Sequence, residues 1–175
     1  GVQTCALPIW TAPILSAIAP EIQALQSADV IAIGFSAESE NNFTFTVAPD
    51  LLTQIEKSFE VSVLDELRFF AATGKAGELF EIPIASEDSE LDRLYLIGVG
   101  DRSLSGLRTA GAALGKKVRG KALSVISLCA ITSDEIKAHG VSLALGAYQW
   151  NVKTDKAQEV PQLALATTDT KSVQI

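Results

Sequence analysis

The sequence predicts an α/β fold in which a mixed, largely parallel sheet is flanked by helices on both faces. Short, continuous apolar runs at Ala28–Phe35, Leu94–Val99 and Leu123–Leu128 are typical of strands that are buried on both faces. Between and around these runs, apolar residues recur at helical spacing, as in Pro49–Phe59 and Ser105–Val118. Strands that alternate with helices favour a parallel sheet, because each helix carries the chain back across it.

In the first half of the chain, a candidate edge strand at Pro13–Ala17 precedes the buried strand Ala28–Phe35. The following stretch, Ser36–Asn42, is rich in Ser, Glu and Asn, and we expect a polar loop there. In the helix predicted over Pro49–Phe59, the proline occupies the first turn, where a missing N–H costs nothing. A second, short helix is expected within Val61–Ala72.

The middle of the chain predicts a strand, an acidic loop and a second buried strand. Apolar and other residues alternate over Glu78–Ile84, and the proline near its end places this strand close to a sheet edge. Ala85–Asp92 is the acidic loop, and the strand Leu94–Val99 follows it. Ser103 or Ser105 is then the N-cap of a helix. One face of that helix is predicted to carry Leu104, Leu107, Gly111, Leu114 and Val118.

The last elements are a helix and a strand. Thr132 and Glu135 form a T-x-x-E capping box at the start of the helix. The apolar run Gln162–Ala166 is expected to be the final strand. The buried face of the helix is predicted to comprise Ile136, His139 or Gly140, Leu143, Ala147 and Trp150.

Composition limits the classes of partner. The net charge of −7 and the pI of about 4.7 oppose non-specific binding to nucleic acids and anionic membranes, which needs a basic surface. One small basic cluster stands out, and it comprises Lys116, Lys117, Arg119 and Lys121. With only Cys5 and Cys129 available, no disulfide framework is expected, and a reducing cytoplasm is the predicted location. No apolar run reaches the ~18 residues that a membrane span needs.

Both ends of the chain suggest a domain taken from a longer reading frame. The sequence contains no methionine, and its first nine residues, GVQTCALPI, read like the translation of a sequencing adapter. We therefore interpret residues 1–9 as non-native, residues 10–168 as one domain, and residues 169–175 as the start of a linker.

Glycine motifs in this chain fall short of phosphate-binding fingerprints. Gly98-Val99-Gly100 lies between a strand and a helix, but a dinucleotide fingerprint needs glycine where Ser103 stands. Gly74-Lys75 fails the phosphate-loop pattern as well, since Phe69 and Ala76 occupy two of its required positions. We interpret both as turns, while the helix N-terminus after Gly100 keeps open a weak anion-binding alternative.

No residue set predicts catalysis or metal binding. His139 is the only histidine, so a structural, hydrogen-bonded role is favoured over a catalytic or zinc-binding one. The acids Glu87, Asp88, Glu90 and Asp92 lack the calcium-loop pattern and are expected to form a solvated loop. Tyr148 and Trp150 end a helix and are expected to pack in the core or an interface. We therefore assign no catalytic, cofactor-binding or metal residue.

Four motifs resemble the N-terminal domain of the leucine aminopeptidase (cytosol aminopeptidase) family. They are T-G-K-A-G-E at Thr73–Glu78, G-V-G-D at Gly98–Asp101, L-R-T-A-G at Leu107–Gly111 and L-G-A-Y at Leu145–Tyr148. The family usually continues after that tyrosine with Arg-Phe-Asp, where this chain has Gln149-Trp150-Asn151. The resemblance covers roughly Ala28 to Ala166 and implies a macro-domain-like sheet followed by a linker helix and a catalytic domain.

The resemblance also implies a function for the parent protein. Such enzymes remove N-terminal residues from peptides with two divalent metals, zinc or manganese, held by a lysine and several acids in motifs such as N-T-D-A-E-G-R, which this chain lacks. It implies a non-catalytic domain without a cofactor of its own, whose partners are a C-terminal catalytic domain, peptide substrates through that domain, and further copies in a homo-oligomer. The alternative is a free-standing macro-type module that binds ADP-ribose or a related phosphate ligand.

Overall fold

The structure is a computed structural model that describes residues 13–39, 42–85, 89–121, 123–149 and 159–167. The predictions for residues 1–9 and 169–175, and those for Glu87, Asp88 and Trp150, lie outside the described residues.

The predicted α/β architecture is confirmed: a seven-stranded, mostly parallel sheet carries helices on both faces. The strands are β1 (Ile14–Ile18), β2 (Val30–Ser39), β3 (Asn42–Phe45), β4 (Leu79–Pro83), β5 (Arg93–Gly98), β6 (Ser124–Leu128) and β7 (Gln162–Ala166). The helices are α1 (Ile22–Gln26), α2 (Pro49–Ser58), α3 (Val63–Phe69), α4 (Leu104–Val118) and α5 (Ser133–Ala147). No helix in the described ranges is both long and apolar enough to cross a bilayer.

The strand order is β1-β7-β6-β2-β5-β4, with β3 paired to the end of β2. The pairs β1–β7, β7–β6, β6–β2 and β2–β5 are parallel, whereas β4 and β3 run antiparallel to β5 and β2. The buried strand predicted over Ala28–Phe35 lies at the centre of the sheet. The strands predicted over Pro13–Ala17 and Glu78–Ile84 end the order on opposite sides, so both edge assignments are confirmed.

The polar loop predicted over Ser36–Asn42 is wrong. Strand β2 continues to Ser39, and β3 begins at Asn42, so this stretch forms most of a hairpin. The register shifts between Ala37 and Ser39, which marks a bulge. Polar side chains misled the prediction because they are exposed on this projecting part of the sheet, while Phe43 of β3 is buried against Phe35. The short helix α1 was also missed, because five residues show too little periodicity to be recognised.

Each face of the sheet has its own hydrophobic core. On one face, β2, β5 and β6 contribute residues such as Ile31 and Leu94, which pack against α1, α2 and α3. On the other face, residues such as Ala32 and Ile97 pack against α4 and α5. The alternation of consecutive strand residues between the two faces explains why these runs are apolar throughout.

The contact between α4 and α5 depends on small residues. A Cβ at Gly111 would collide with the carbonyl of His139, and one at Gly115 would collide with the carbonyl of Leu143. Both helices therefore approach backbone to backbone, with α4 beside β5 and α5 beside β7 and β1. Most of the predicted apolar face of α4 is buried. Leu104 is 41% exposed, because it is the first residue of the helix and lies before the part of that face that the rest of the protein covers.

Candidate functional site

The carboxyl ends of the parallel strands form the edge of the sheet where ligands bind in open α/β folds. Strand β2 is followed by helices that pack on one face, whereas its neighbour β6 is followed by α5 on the other face. The chain therefore changes direction between β2 and β6, which is the topological position of a binding crevice. Three features of this edge bear on function: a glycine-rich turn, a buried ion pair and an apolar crevice.

The glycine-rich turn after β5 is filled by the polypeptide itself. The segment Gly74–Gly77 lies against it, and a Cβ at Gly98 would collide with the carbonyl of Lys75. The Gly98 amide donates to the Glu78 carbonyl at 2.7 Å, and the Gly100 amide donates to the Gly74 carbonyl at 3.0 Å. The two glycine motifs are therefore turns, as predicted, and their amides bind each other's segments and are not free for a phosphate.

Glu78 holds the first of these turns in place. Its carboxylate accepts hydrogen bonds from the amides of Thr73 and Gly74 at 3.0 and 2.9 Å. Gly74 has a φ of 73°, a backbone conformation that glycine adopts without strain. The residues T-G-K-A-G-E thus form a self-contained turn in which the last residue binds the first two, a relation that the sequence motif alone did not reveal.

A partly buried ion pair joins the loop after β5 to the start of α5. The Arg102 guanidinium donates to the Glu135 carboxylate at 3.0 Å, and that carboxylate also accepts the amides of Ile131 and Thr132 at 2.8 and 3.0 Å. Burial opposes ionisation of Glu135, but these amides and Arg102 outweigh it and hold the pKa of the carboxyl below its usual value. Arg102 itself has a φ of 60°, and its Nε is buried without a hydrogen-bond partner in the described part of the chain.

The pair of Arg102 and Glu135 holds the start of α5 in place. Glu135 completes the capping box with Thr132, as the sequence predicted, and the same carboxylate oxygen, Oε2, also accepts the bond from Arg102. The sequence analysis missed Arg102, which lies 33 residues from its partner and belongs to no motif.

The apolar crevice lies where the ends of β6 and β7 meet the segment between β3 and α2. It encloses about 260 Å³. The residues that line it are Pro20, Thr46, Val47, Ala48, Leu51, Leu128, Ala130, Ile131, Ala166 and Thr167. None of these side chains is ionisable. The crevice can therefore accept an apolar group, but its side chains supply no acid, base or nucleophile of the kind that catalysis needs.

Thr46 fixes the inner wall of the crevice. Its hydroxyl accepts the Gly34 amide at 3.1 Å and donates to the Leu128 carbonyl at 2.6 Å. These bonds join the ends of β2, β3 and β6, so the wall is rigid and largely without free polar groups. Sequence reasoning missed the crevice because its lining comes from segments far apart in the chain.

His139 is a buried, hydrogen-bonded side chain, as predicted. Its Nδ1–H donates to the Leu107 carbonyl at 3.2 Å, which leaves Nε2 to accept the Ser127 hydroxyl at 2.9 Å. Burial lowers the pKa of His139 to about 4, so the ring is neutral near pH 7. Burial also raises the pKa of the Cys129 thiol to about 12, which makes that cysteine unreactive.

The remaining candidate residues do not converge. Glu90 and Asp92 are exposed, and Tyr148 is half-buried at the end of α5. In the described ranges, no group of three or more His, Cys, Asp or Glu residues could hold a metal ion.

The predicted basic cluster is divided between two internal contacts. Lys117 pairs with Glu81 at 2.7 Å, and this contact raises the pKa of Lys117. The Arg119 guanidinium donates twice to the Gly146 carbonyl, at 2.6 and 2.9 Å. Two of the four cationic side chains of the basic cluster, Lys117 and Arg119, are therefore already bound within the protein.

Comparison with known proteins gives a similarity of fold. No family model matches this chain, and no curated protein matches it in sequence. A mutant of tomato leucine aminopeptidase superposes with a TM-score of 0.61 at 15% identity, over 95% of this chain and 35% of that one. The bottromycin maturation enzyme BotP superposes with a TM-score of 0.55 at 16% identity, over 83% of this chain and 29% of that one.

A third solved structure, of three main domains of coronavirus nonstructural protein 3, superposes with a TM-score of 0.54 at 6% identity, over 91% of this chain and 35% of that one. At such identities the likeness is one of fold alone. The chain spans about a third of the length of the solved chains that it matches.

Proposed function

We propose that this chain is a non-catalytic domain of a leucyl aminopeptidase-like metallo-exopeptidase, an enzyme that removes N-terminal residues from peptides. The observation that carries the proposal is the superposition of 95% of the chain on about a third of a leucine aminopeptidase. The match to BotP, named as a maturation enzyme, supports the same assignment. The four motifs described above lie within the matched fold.

The chemistry of the described residues supports a non-catalytic role. The one histidine is neutral and enclosed, the cysteine of the core is a protonated thiol, and Glu135 is already bound by Arg102 and two amides. These residues do not fit a two-metal centre, since they provide no group of three or more potential ligands. The two zinc or manganese ions of such a peptidase would therefore be held by another part of the protein.

The apolar crevice is the surface that we propose for contact with the catalytic part. Thr167, the last described residue, lines the crevice, so the described fold ends at this edge. A following domain tethered there would meet the crevice first. Its uncharged lining suits an apolar side chain from that domain, and the role of the contact would be assembly or control of access to the active site.

The alternative, a macro-type module that binds ADP-ribose or a related phosphate ligand, has less support. Such a ligand needs free amides or cations at the carboxyl edge of the sheet. Here the Gly98 and Gly100 amides are bound to the segment Gly74–Glu78, and the crevice is apolar.

The experiment compares this chain with the longer polypeptide read from the same frame beyond Ile175. With manganese or zinc and a leucine amide substrate, the 175-residue chain should release no leucine, whereas the longer polypeptide should do so. Metal-dependent turnover by the 175-residue chain, abolished by a chelator, would refute the non-catalytic role. A frame that encodes no metallopeptidase downstream would refute the assignment to a peptidase.

A matched pair of substitutions tests the crevice in the longer polypeptide. Ala48→Arg places a charge at the mouth of the crevice, and Gln54→Arg places the same charge on the exposed side of α2. We expect only Ala48→Arg to reduce activity or to make the linker more susceptible to proteolysis. Equal behaviour of the two variants would rule out the crevice as the contact surface.

A further inference from the structure

The two edges of the sheet differ in how they are protected. At one edge, β4 carries Pro83, and Glu81 pairs with Arg93 at 2.9 Å and with Lys117 at 2.7 Å. Proline and charged side chains are the usual means of preventing a sheet edge from pairing with another strand. At the opposite edge, β1 contains neither between Ile14 and Ile18, although Pro13 and Pro20 flank it: residues 13–20 read PILSAIAP, and no ionisable side chain occurs among them. Ile14 in this strand is 70% exposed.

One side of β1 has hydrogen-bonding groups without a strand to receive them. The Thr167 amide donates to the Ile18 carbonyl, so the backbone groups of Ile18 point towards β7. Because these groups alternate along a strand, those of Leu15 and Ala17 point away from β7. Among the described residues, no strand pairs with that outer side of β1. Within the described ranges it is therefore an edge without a partner strand, with two residues available for a new ladder.

The sequence of β1 is nearly the same in both directions. The strand is Ile-Leu-Ser-Ala-Ile, with Ser16 at its centre and isoleucine at both ends. If two copies pair antiparallel with Ser16 opposite Ser16, Ile14 faces Ile18 of the other copy, and Leu15 faces Ala17. In this register the outward-pointing groups of Leu15 and Ala17 form the hydrogen-bonded pairs. The small serines meet at the two-fold axis, where the strands approach most closely.

The surfaces on either side of β1 are a groove with an uncharged lining on one face and a helix on the other. On one face, a groove of about 380 Å³ runs along Ile14, Ser16 and Ile18 to β6 and β7, beside the short helix α1. On the other face, α5 meets Leu15 through Gly140. Since α4 contacts α5 at His139 and Leu143, the opposite flank of α5 lies over the outer edge.

That flank of α5 carries two exposed aliphatic side chains one turn apart, Val141 and Leu145, which are 43% and 69% exposed. A five-residue strand pair alone buries less than a stable dimer requires, and these flanking surfaces extend the contact.

We propose that β1 is a dimerisation edge, at which a second copy of this chain adds its own β1 antiparallel in the Ser16–Ser16 register to form a continuous fourteen-stranded sheet. A two-fold interface needs a surface that is complementary to itself, and the near-palindromic strand provides one. The net charge of −7 would make two copies repel each other elsewhere, but residues 13–20 are uncharged. The proposal does not depend on the peptidase assignment.

The test places charges at the two-fold axis. Ser16 is exposed, and its hydroxyl donates to the Leu163 carbonyl at 3.3 Å. Loss of that one bond by Ser16→Lys or Ser16→Glu should leave the fold intact, which thermal unfolding of each variant would check. Sedimentation equilibrium of the wild-type chain over a range of concentrations should show a monomer–dimer equilibrium. Each Ser16 variant should weaken dimerisation about tenfold or more, because like charges then face each other directly. Gln54→Lys, an equal change of charge on the exposed side of α2, should leave dimerisation unchanged.

Mixing the Ser16→Lys and Ser16→Glu variants is the decisive experiment, because it tests whether residue 16 of one copy faces residue 16 of the other. The mixture places Lys opposite Glu and should restore dimers that neither variant forms alone. Amide hydrogen exchange should show protection of Leu15 and Ala17 in the wild-type dimer and its loss in each single variant. A wild-type chain that stays monomeric, because residues 1–12 or a strand from another protein occupy this edge, would overturn the proposal. So would dimers that persist in both variants, or a mixture that fails to re-form them.

Discussion

Acidification should destabilise this fold through His139. The ring is fully buried, its Nδ1–H donates to the Leu107 carbonyl at 3.2 Å, and its Nε2 accepts the Ser127 hydroxyl at 2.9 Å. Protonation would turn Nε2 into a donor that faces the hydroxyl it now accepts from, and would place a charge in a fully buried site. Burial therefore lowers the pKa of His139 to about 4, below its ordinary value of about 6.5.

The sign of the effect follows from proton binding in the two states. Between about pH 6.5 and pH 4, the unfolded chain binds a proton at His139 and the folded chain does not, so the free energy of unfolding falls as the pH falls. At about 1.4 kcal/mol per pH unit, the loss reaches about 3 kcal/mol at pH 4. A loss of that size is a large part of the ~5–15 kcal/mol that stabilises a typical domain.

The assay is urea unfolding of the wild-type chain and of His139→Gln between about pH 7 and pH 4. Glutamine can keep a donor and an acceptor at the site but does not titrate, and His139 is the only histidine. Titration of carboxylates such as Glu135 affects both proteins alike, so the difference between the two curves isolates the histidine. We expect the wild type to lose about 3 kcal/mol more than the variant. Parallel curves would refute the reasoning and would mean that the buried ring is charged or that the site opens.

Two further predictions concern packing. Gly111→Ala should destabilise the protein by about 2 kcal/mol or more, because the added Cβ collides with the carbonyl of His139, although alanine favours helices by ~1 kcal/mol. Arg108→Ala on the exposed side of α4 is the control, and both variants are compared by thermal unfolding. Equal unfolding midpoints of the two variants would contradict the backbone contact. Ile97→Asp should abolish folding, as judged by circular dichroism, because it buries an unpaired charge in the core between β5 and α4, whereas Glu90→Ala in the exposed loop should be nearly neutral. A folded Ile97→Asp variant would contradict this placement.

Elements with strong local signals were predicted well. Of the two N-cap candidates, Ser103 and Ser105, the structure has Ser103, and the capping box of Thr132 and Glu135 is found where the sequence placed it, because capping depends on side chains within one helical turn. The central strands were recognisable because burial on both faces demands unbroken apolar runs. The hairpin of β2 and β3 was missed for the opposite reason: Ser36–Ser39 is polar, and only pairing with Asn42–Phe45 makes it a strand.

The likeness of fold to a leucine aminopeptidase agrees with the family resemblance carried by the glycine-rich motifs. The structure gives a physical reason for these glycines. Gly98 and Gly111 are required by close contact with Lys75 and His139, 23 and 28 positions away in the sequence. Spacing within a motif could not reveal such partners, so the sequence could exclude a phosphate fingerprint but could not say what the glycines contact.

The sequence by itself determined the fold class, the helices α2 to α5 with the caps of α4 and α5, the central strands and the absence of a motif for catalysis, since each rests on composition or on patterns over neighbouring residues. The tertiary structure decided the strand order and with it every feature of the carboxyl edge: the filled glycine turn, the pair of Arg102 with Glu135 and the apolar crevice. The edge position of β1 was predicted from the sequence, but only the structure shows that, in the described ranges, no strand pairs with its outer side. These features join residues that are distant in the chain, and the energy that brings them together comes from burying the two faces of the sheet, which no local pattern records.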